Sequence, residues 1–423
     1  MKFHKTTLPN GVRVIVVPAH DNPSITVVVA CETGSNYESK KENGLSHFLE
    51  HMLFKGTATR PSAMTVSSEL DTVGAESNAM TTNELTLYYA KAQKKHWKKL
   101  LEVVSDIYLN PAFPAADLEK ERGVILQEIS MYKDLPHQYV WDILAKLLYG
   151  DTAVGRTILG PVENIKKFSR QDFLGYHRKH YVASKTIVAV AGDVTEKAVL
   201  EEVKEIFGTL PKVEKRSRET LKEKQKAPGF VLEKRKSDQT HIVMAIRGYE
   251  ISHKLAPAAS VLMGVLGAGM SSRLFQRLRE EMGACYYVYA HHTASPDHGL
   301  ASIAVGIDQK RATEVVKALI DECKRLTYEK VTEKELQKVK DYKVSHIYMG
   351  LETTDALAVH YISDEVNRGA VRNPELREKE LRAVTAEEVM KVAKELFRDE
   401  RLNLAIVGNI SDAKPIKKVL TFK

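Results

Sequence analysis

The sequence predicts an α+β chain built from two copies of one fold. The first reason is an internal repeat: Ser169 to Val194, SRQDFLGYHRKHYVASKTIVAVAGDV, has a counterpart 216 residues later at Thr385 to Ile410, TAEEVMKVAKELFRDERLNLAIVGNI. In both, a helix with an acidic first turn (Asp172; Glu387 and Glu388) leads to a short apolar strand and then to a Gly192-Asp193 or Gly408-Asn409 turn. Upstream, FPAADLEKERGVILQEI from Phe113 resembles VTEKELQKVKDYKVSHI from Val331 at an offset of 218, so the two displacements nearly agree. The second reason is that each half opens with strands and continues into helices. A third observation places the boundary: Lys212 to Gly229, KVEKRSRETLKEKQKAPG, is charged and nearly devoid of apolar residues, as suits a solvated linker. The expected organisation is a first domain over 1–211, a linker over 212–228 and a repeated domain over 229–423.

Val12 to Val17, after the Asn10-Gly11 turn signal, and Ile25 to Cys31 are β-branched runs bounded by Pro, Asn and Gly, and they are predicted strands. Gly44 to Gly56, GLSHFLEHMLFKG, carries Leu45, Phe48, Leu49, Met52 and Leu53 at helical spacing, with Gly56 placed as a stop. Glu76 to Tyr89, ESNAMTTNELTLYY, alternates enough to be a strand, and Ala115 to Tyr132 is a second helical pattern. Phe230 to Lys234 and Thr240 to Arg247 repeat the opening strands. Farther on, a helix stopped by Gly283 precedes the strand YYVYA that begins at Tyr286.

Composition narrows the function. With 423 residues, 43% hydrophobic and 28% charged, the chain can bury full cores and lies far from the disordered class. Its 63 Lys and Arg against 55 Asp and Glu leave a net charge of +8, but basic and acidic runs alternate. Aromatics are only 7%, so no interleaved basic and aromatic groove points to nucleic acid. Three cysteines, Cys31, Cys285 and Cys323, form no paired short spacing. A disulfide framework is therefore not expected, and a reducing compartment is. The N-terminus turns polar at Thr6 to Asn10, before an apolar signal core could form, and no apolar run reaches ~18 residues. These readings predict a cytoplasmic protein without membrane association.

The chemistry concentrates in HFLEH. His47 and His51 are i and i+4 on one helix, so both imidazoles leave the same face and two nitrogens can meet one metal ion. Glu50 lies between them on nearly that face. This is the inverted H-x-x-E-H order, in which the carboxylate can act as a general base toward a water on the metal. Spacing alone leaves a second reading open, of two partly buried polar histidines. A catalytic zinc also needs a third protein ligand. Glu121 and Glu128, seven residues apart on the second helix, share a face; by spacing alone they read as an ordinary solvated pair.

Four blocks in order settle the choice by resemblance: LPNGVRVIVVP at Leu8, GLSHFLEHMLFKGT at Gly44, ERGVILQEISMYKD at Glu121 and GAGMSSRLFQRLREEMGACYYVYA at Gly267. Over essentially its whole length the chain resembles the pitrilysin family of inverted-motif zinc metallopeptidases, in its short, mitochondrial-processing-peptidase-like branch. The resemblance implies two homologous α/β sandwich domains, each an antiparallel-rich sheet packed with helices, in a clamshell arrangement. It implies one zinc ion per chain held by His47, His51 and Glu128, with Glu50 as the base and Glu121 as a carboxylate supporting the site. Gln127, where relatives often carry Glu, neighbours the ligand without replacing it. The HFLEH helix moved by about 216 residues falls on APAASVLMGVLG from Ala256, which has no His or Glu, so the repeat is expected to lack a metal site.

By the same resemblance, Arg279 and Tyr286 match a pair that contacts the substrate carbonyl or its oxyanion, which is chemically apt for a guanidinium and a phenol. Asn78, Ala79 and Met80 match an edge strand that holds a peptide by β-augmentation. One chain carries both the zinc motif and the Arg/Tyr pair, which points to a homodimer. The expected function is a zinc-dependent endopeptidase acting on peptides or unfolded segments; the alternative is a non-catalytic scaffold or partner subunit of the same fold.

Overall fold

The computed structural model describes residues 2–214 and 217–423. Six strands, β1 (His4–Thr7), β2 (Arg13–Pro18), β3 (Ser24–Cys31), β4 (Glu76–Thr81), β5 (Thr86–Gln93) and β6 (Thr186–Gly192), make one sheet in the order β1-β2-β6-β3-β5-β4. Five more, β7 (Gly229–Lys234), β8 (Thr240–Gly248), β9 (Cys285–Ala294), β10 (Gly299–Ile307) and β11 (Leu402–Gly408), make a second in the order β7-β11-β8-β10-β9. Without β1 the two orders are the same. The single parallel pair of each sheet also corresponds, β2 with β6 and β7 with β11. The repeat extends to helix ends: Ser169 with Asp172 and Thr385 with Glu388 each form a capping box, satisfying orphan N–H groups at equivalent helix starts.

The predicted strands at Val12, Ile25, Phe230 and Thr240 form as β2, β3, β7 and β8. Glu76 to Tyr89, expected as one strand, is instead the hairpin β4–β5. The chain turns because the Thr82 hydroxyl accepts the N–H of Glu84 and of Leu85, and the Thr82 N–H bonds Leu85 O at 2.8 Å. A short polar side chain that satisfies its own local backbone favours a turn over continued pairing.

The inner strands explain the rest of the architecture. β6 (TIVAVAG) and β11 (LNLAIVG) are buried along their whole length, which requires cover on both sheet faces. In the second sheet, Ile242, Met244, Ile246, Leu404 and Ile406 face one core. The alternate residues Val243, Ala245, Ala405 and Val407 face Val140, Leu144 and Leu148 of the helix Pro136–Tyr149, which comes from the first half of the sequence. Reciprocally, the helix Thr354–Arg368, from the second half, packs on β2, β3 and β6 through a face that includes Leu357, Ala358, Tyr361 and Ile362.

The compact units are therefore Met1–Ser130 with Arg156–Glu219 and Met349–Asn373, and Met131–Gly155 with Thr220–Tyr348 and Pro374–Lys423. This departs from the single boundary expected at 212–228. Periodicity reveals that a helix has an apolar face but not which sheet that face will cover.

Polar groups fasten the exchanged helix in the first unit. Glu365 accepts from Lys5 at 2.6 Å and lies 3.4 Å from Arg13, which also pairs with Glu32 at 2.7 Å. Thr354 meets Thr26 hydroxyl to hydroxyl at 2.8 Å. Nor is the linker simply solvated. Residues 215 and 216 lie outside the described residues, but beyond them Arg218 pairs with both carboxylate oxygens of Glu84, at 3.0 and 2.9 Å. The Leu221 N–H bonds Asp297, and Glu223 pairs with Arg247 at 2.5 Å. Charge marked this segment as exposed, whereas buried counter-ions hold it in place. Among the described residues no helix is long and apolar enough to cross a membrane, and the three cysteines are buried and free.

Candidate metal centre

The HFLEH segment forms the helix Leu45–Leu53, with Leu45, Phe48, Leu49, Met52 and Leu53 all buried. It ends three residues before Gly56, whose backbone turns at φ 123° in the following loop rather than stopping the helix. Its start is built around Gly44, at φ 100°, where a Cβ would come within 2.7 Å of Leu159 O. Only glycine suits both conditions.

The helix N-terminus is capped from outside by Glu38. This buried carboxyl accepts the N–H of Gly44 at 2.9 Å and of Ser46 at 2.6 Å, and the Asn43 amide at 3.0 Å. Burial pushes it up to about 7 against those donors, which hold it down. Glu38→Ala leaves the N–H groups of Gly44 and Ser46 buried and unpaired, and it should lower unfolding stability by roughly 2 kcal/mol or more. A urea midpoint unchanged from that of the parent would contradict this role. Glu38 escaped the sequence reading because it stands outside the usual N-cap spacing.

On the face of this helix turned toward the second one, the rings of His47 and His51 have centroids 4.7 Å apart. The second helix, Ala115–Lys133, presents Glu128 to both. Glu128 Oε2 lies 3.6 Å from His47 Nε2 and 3.8 Å from His51 Nε2. One ligand atom from each of the three residues falls within 4.8 Å of the other two. These separations are too long for hydrogen bonds. They are close to the edge of a tetrahedron whose ligands sit ~2.1 Å from a zinc ion, about 3.4 Å. The donor set of two imidazoles and one carboxylate therefore fits zinc with one position left open.

Charge states suit the same role. Burial draws His47 down to about 3, with His51 adding to the shift, so its imidazole is neutral. His47 Nδ1 is buried without a hydrogen-bond partner. Burial raises the Glu128 carboxyl while His51 lowers it.

Glu121 takes the place expected of a supporting carboxylate. Its Oε2 lies 3.1 Å from His51 Nδ1, and its Oε1 is 2.7 Å from Lys55 Nζ. A proton on Nδ1 shared with Glu121 leaves Nε2 as the lone-pair donor. Lys55 went unremarked in the sequence, although its position four residues after His51 was a usable signal.

Glu50 is not among the three converging groups. Its Oε2 accepts the Thr81 hydroxyl. Burial raises its carboxyl, the Thr81 hydrogen bonds and His51 lower it, and Glu128 raises it. Thr81 closes β4, the outermost strand of its sheet. Because the Thr82 N–H turns inward to Leu85, pleat alternation directs the backbone groups of Thr81, Ala79 and Ser77 off the free edge. Those of Met80 and Asn78 turn toward β5. Of the expected peptide-binding residues, Ala79 thus presents its backbone outward, while Asn78 and Met80 do not. The Asn78 side chain instead accepts the Ala79 N–H at 2.8 Å.

Arg279 and Tyr286 lie in the second unit. Arg279 belongs to Phe275–Glu281, a π-helix rather than an ordinary helix end, and Gly283 follows at φ 55°. Arg279 Nη1 donates to the carbonyls of Cys285, at 3.1 Å, and Tyr286. The Tyr286 side chain is 59% exposed at the start of β9. In this unit the helix Ala256–Gly267 stands where HFLEH stands in the first. A Cβ on its Gly264 would meet Val339 at 2.5 Å and the Lys343 stem at 2.7 Å, so this helix packs closely against the helix Glu333–Met349.

The helix carries the inverted H-x-x-E-H order, and its two histidines converge with Glu128 on one point that could hold a metal ion. Comparison with known proteins gives the family. A family model described as insulinase (peptidase family M16) matches residues 13–162, and one described as peptidase M16 inactive domain matches residues 167–342. The "Uncharacterized zinc protease YmxG" of Bacillus subtilis is 33% identical over 401 residues, covering 93% of this chain and 95% of its own. A protein of Streptomyces coelicolor also named a zinc protease is 32% identical over 418 residues, covering 96% and 90%. In fold, a protease from Helicobacter pylori matches with a TM-score of 0.87 at 22% identity, over 96% of this chain and 99% of that one. A peptidase M16 inactive domain from Pseudomonas fluorescens matches at 0.88 and 19%, over 96% and 98%. The chain belongs to the pitrilysin family, M16, of zinc metallopeptidases.

Proposed function

We propose that this protein is a zinc-dependent endopeptidase that cleaves peptides or unfolded segments, with Glu50 as the general base. The observation that carries the reading is the convergence of His47, His51 and Glu128 at 3.6 and 3.8 Å without mutual hydrogen bonds, beside a separate carboxylate held by Thr81. Zinc in that set supplies Lewis acidity, polarising a carbonyl and acidifying a water. His47 and His51 would hold the ion through their ring nitrogens, and Glu121 orients His51 through Nδ1. Glu50 takes the proton from the attacking water and delivers it to the leaving amine. A peptide adds to the β4 edge through Ser77 and Ala79, displacing the Asn78 amide from the Ala79 N–H. Arg279 and Tyr286 enter this reading by their chemistry, as donors suited to a developing oxyanion.

The test is cleavage of a mixed peptide pool with zinc content measured in parallel. The expected result is one zinc per chain, internal cuts in the product masses, loss of activity with a chelator and recovery with zinc. Zinc at full occupancy with no cleavage would favour the scaffold reading.

A further inference from the structure

We propose that Thr81 is a positioning residue for Glu50, fixing the base at the end of the edge to which the peptide adds. The inference rests on the peptidase reading above and extends it to a residue that the zinc motif does not contain. Glu50 stands on the helix Leu45–Leu53 and Thr81 on β4, 31 residues apart in sequence. The Glu50 carboxyl accepts the Thr81 side-chain hydroxyl across that separation.

The geometry of the strand gives this contact its meaning. Residues 77, 79 and 81 direct their backbone groups off the free edge. Thr81 donates its hydroxyl to Glu50, and Ala79 gives its outward N–H to the Asn78 side chain. Asn78 is exposed, so its amide can swing away when a peptide arrives, whereas the Thr81 to Glu50 contact is half-buried. A peptide pairing along β4 past Ala79 reaches the end of the strand at Thr81, where the Thr81 hydroxyl holds the Glu50 carboxylate. The side chain that ends the edge strand thus also fixes the place of the base. A carboxylate on a flexible stem otherwise samples several rotamers, and holding the base in reach of its proton is a large part of its worth.

The hydroxyl is separable from the fold. Thr81→Val keeps the β-branched shape that suits a strand and removes only the donor. With a charge-assisted hydrogen bond at stake, kcat should fall roughly 10- to 100-fold, with KM within about twofold because the edge still binds peptide. Zinc content should match that of the parent. Thr81→Ser should recover kcat to within about threefold of the parent, since it restores the donor. If Thr81→Val does not fold, Thr81→Ala takes its place.

A kcat unchanged in the donorless variant would overturn the inference, as would a Thr81→Ser protein as impaired as the valine one, which would mark a packing role. If the parent protein itself cleaves no peptide, the peptidase reading fails on its own account. Crystal structures of the parent and Thr81→Val proteins then decide the positioning claim. A Glu50 carboxylate that leaves β4 in the variant supports it, and one that stays in place overturns it.

Discussion

Glu50→Gln should keep zinc and lose cleavage, with a fall in kcat of roughly 10²- to 10⁴-fold, the usual worth of a positioned base. Glutamine has the size and shape of glutamate, and its amide oxygen can still accept the Thr81 hydroxyl that now meets Glu50 Oε2. What it cannot do is take a proton. Glu50 lies outside the cluster formed by His47, His51 and Glu128, so metal content measured by elemental analysis should equal that of the parent. The two readouts must therefore separate. Hydrolysis at the parental rate would refute the base assignment, and loss of zinc together with activity would make Glu50 a ligand.

Glu128→Ala should give the opposite pattern, losing metal and activity together. With the carboxylate gone, two imidazoles remain on one helix. A site built for three protein ligands then holds zinc at least 100-fold more weakly, since even the partners of ligands are worth 10- to 100-fold. Binding to the native state stabilises it by mass action. A chelator should accordingly lower the melting temperature of the parent and leave that of Glu128→Ala nearly unchanged. Calorimetry with and without chelator checks this, and a variant with parental zinc affinity would remove Glu128 from the proposed ligand set.

Much of the site was legible because its geometry is local. His47 and His51 occupy one turn of one helix, and the 3.6-residue period brings their rings together whatever surrounds them. The same period placed Glu121 and Glu128 on a shared face. The hairpin at Thr82 was missed because a polar side chain satisfying its own backbone interrupts an otherwise continuous alternation. Glu38 and Thr81 were missed because each reaches the helix from another element, and nothing in HFLEH names its partners. Arg218, in a segment that reads as solvent-exposed by charge, is held by Glu84.

The sequence by itself determined the repeat, the two-sheet class, the zinc motif and its absence from the second copy, since these depend on residue type and spacing along the chain. Only the tertiary structure decided that Pro136–Tyr149 and Thr354–Arg368 each cover the sheet of the other half. It also decided that Glu128 converges on the histidines and that Thr81 holds Glu50. An amphipathic helix records in its sequence that it has an apolar face, but the surface it will cover is chosen by which sheet has an apolar face still open. A side chain records its chemistry in the same way, while its partner is set by whatever the fold brings within 3 to 4 Å.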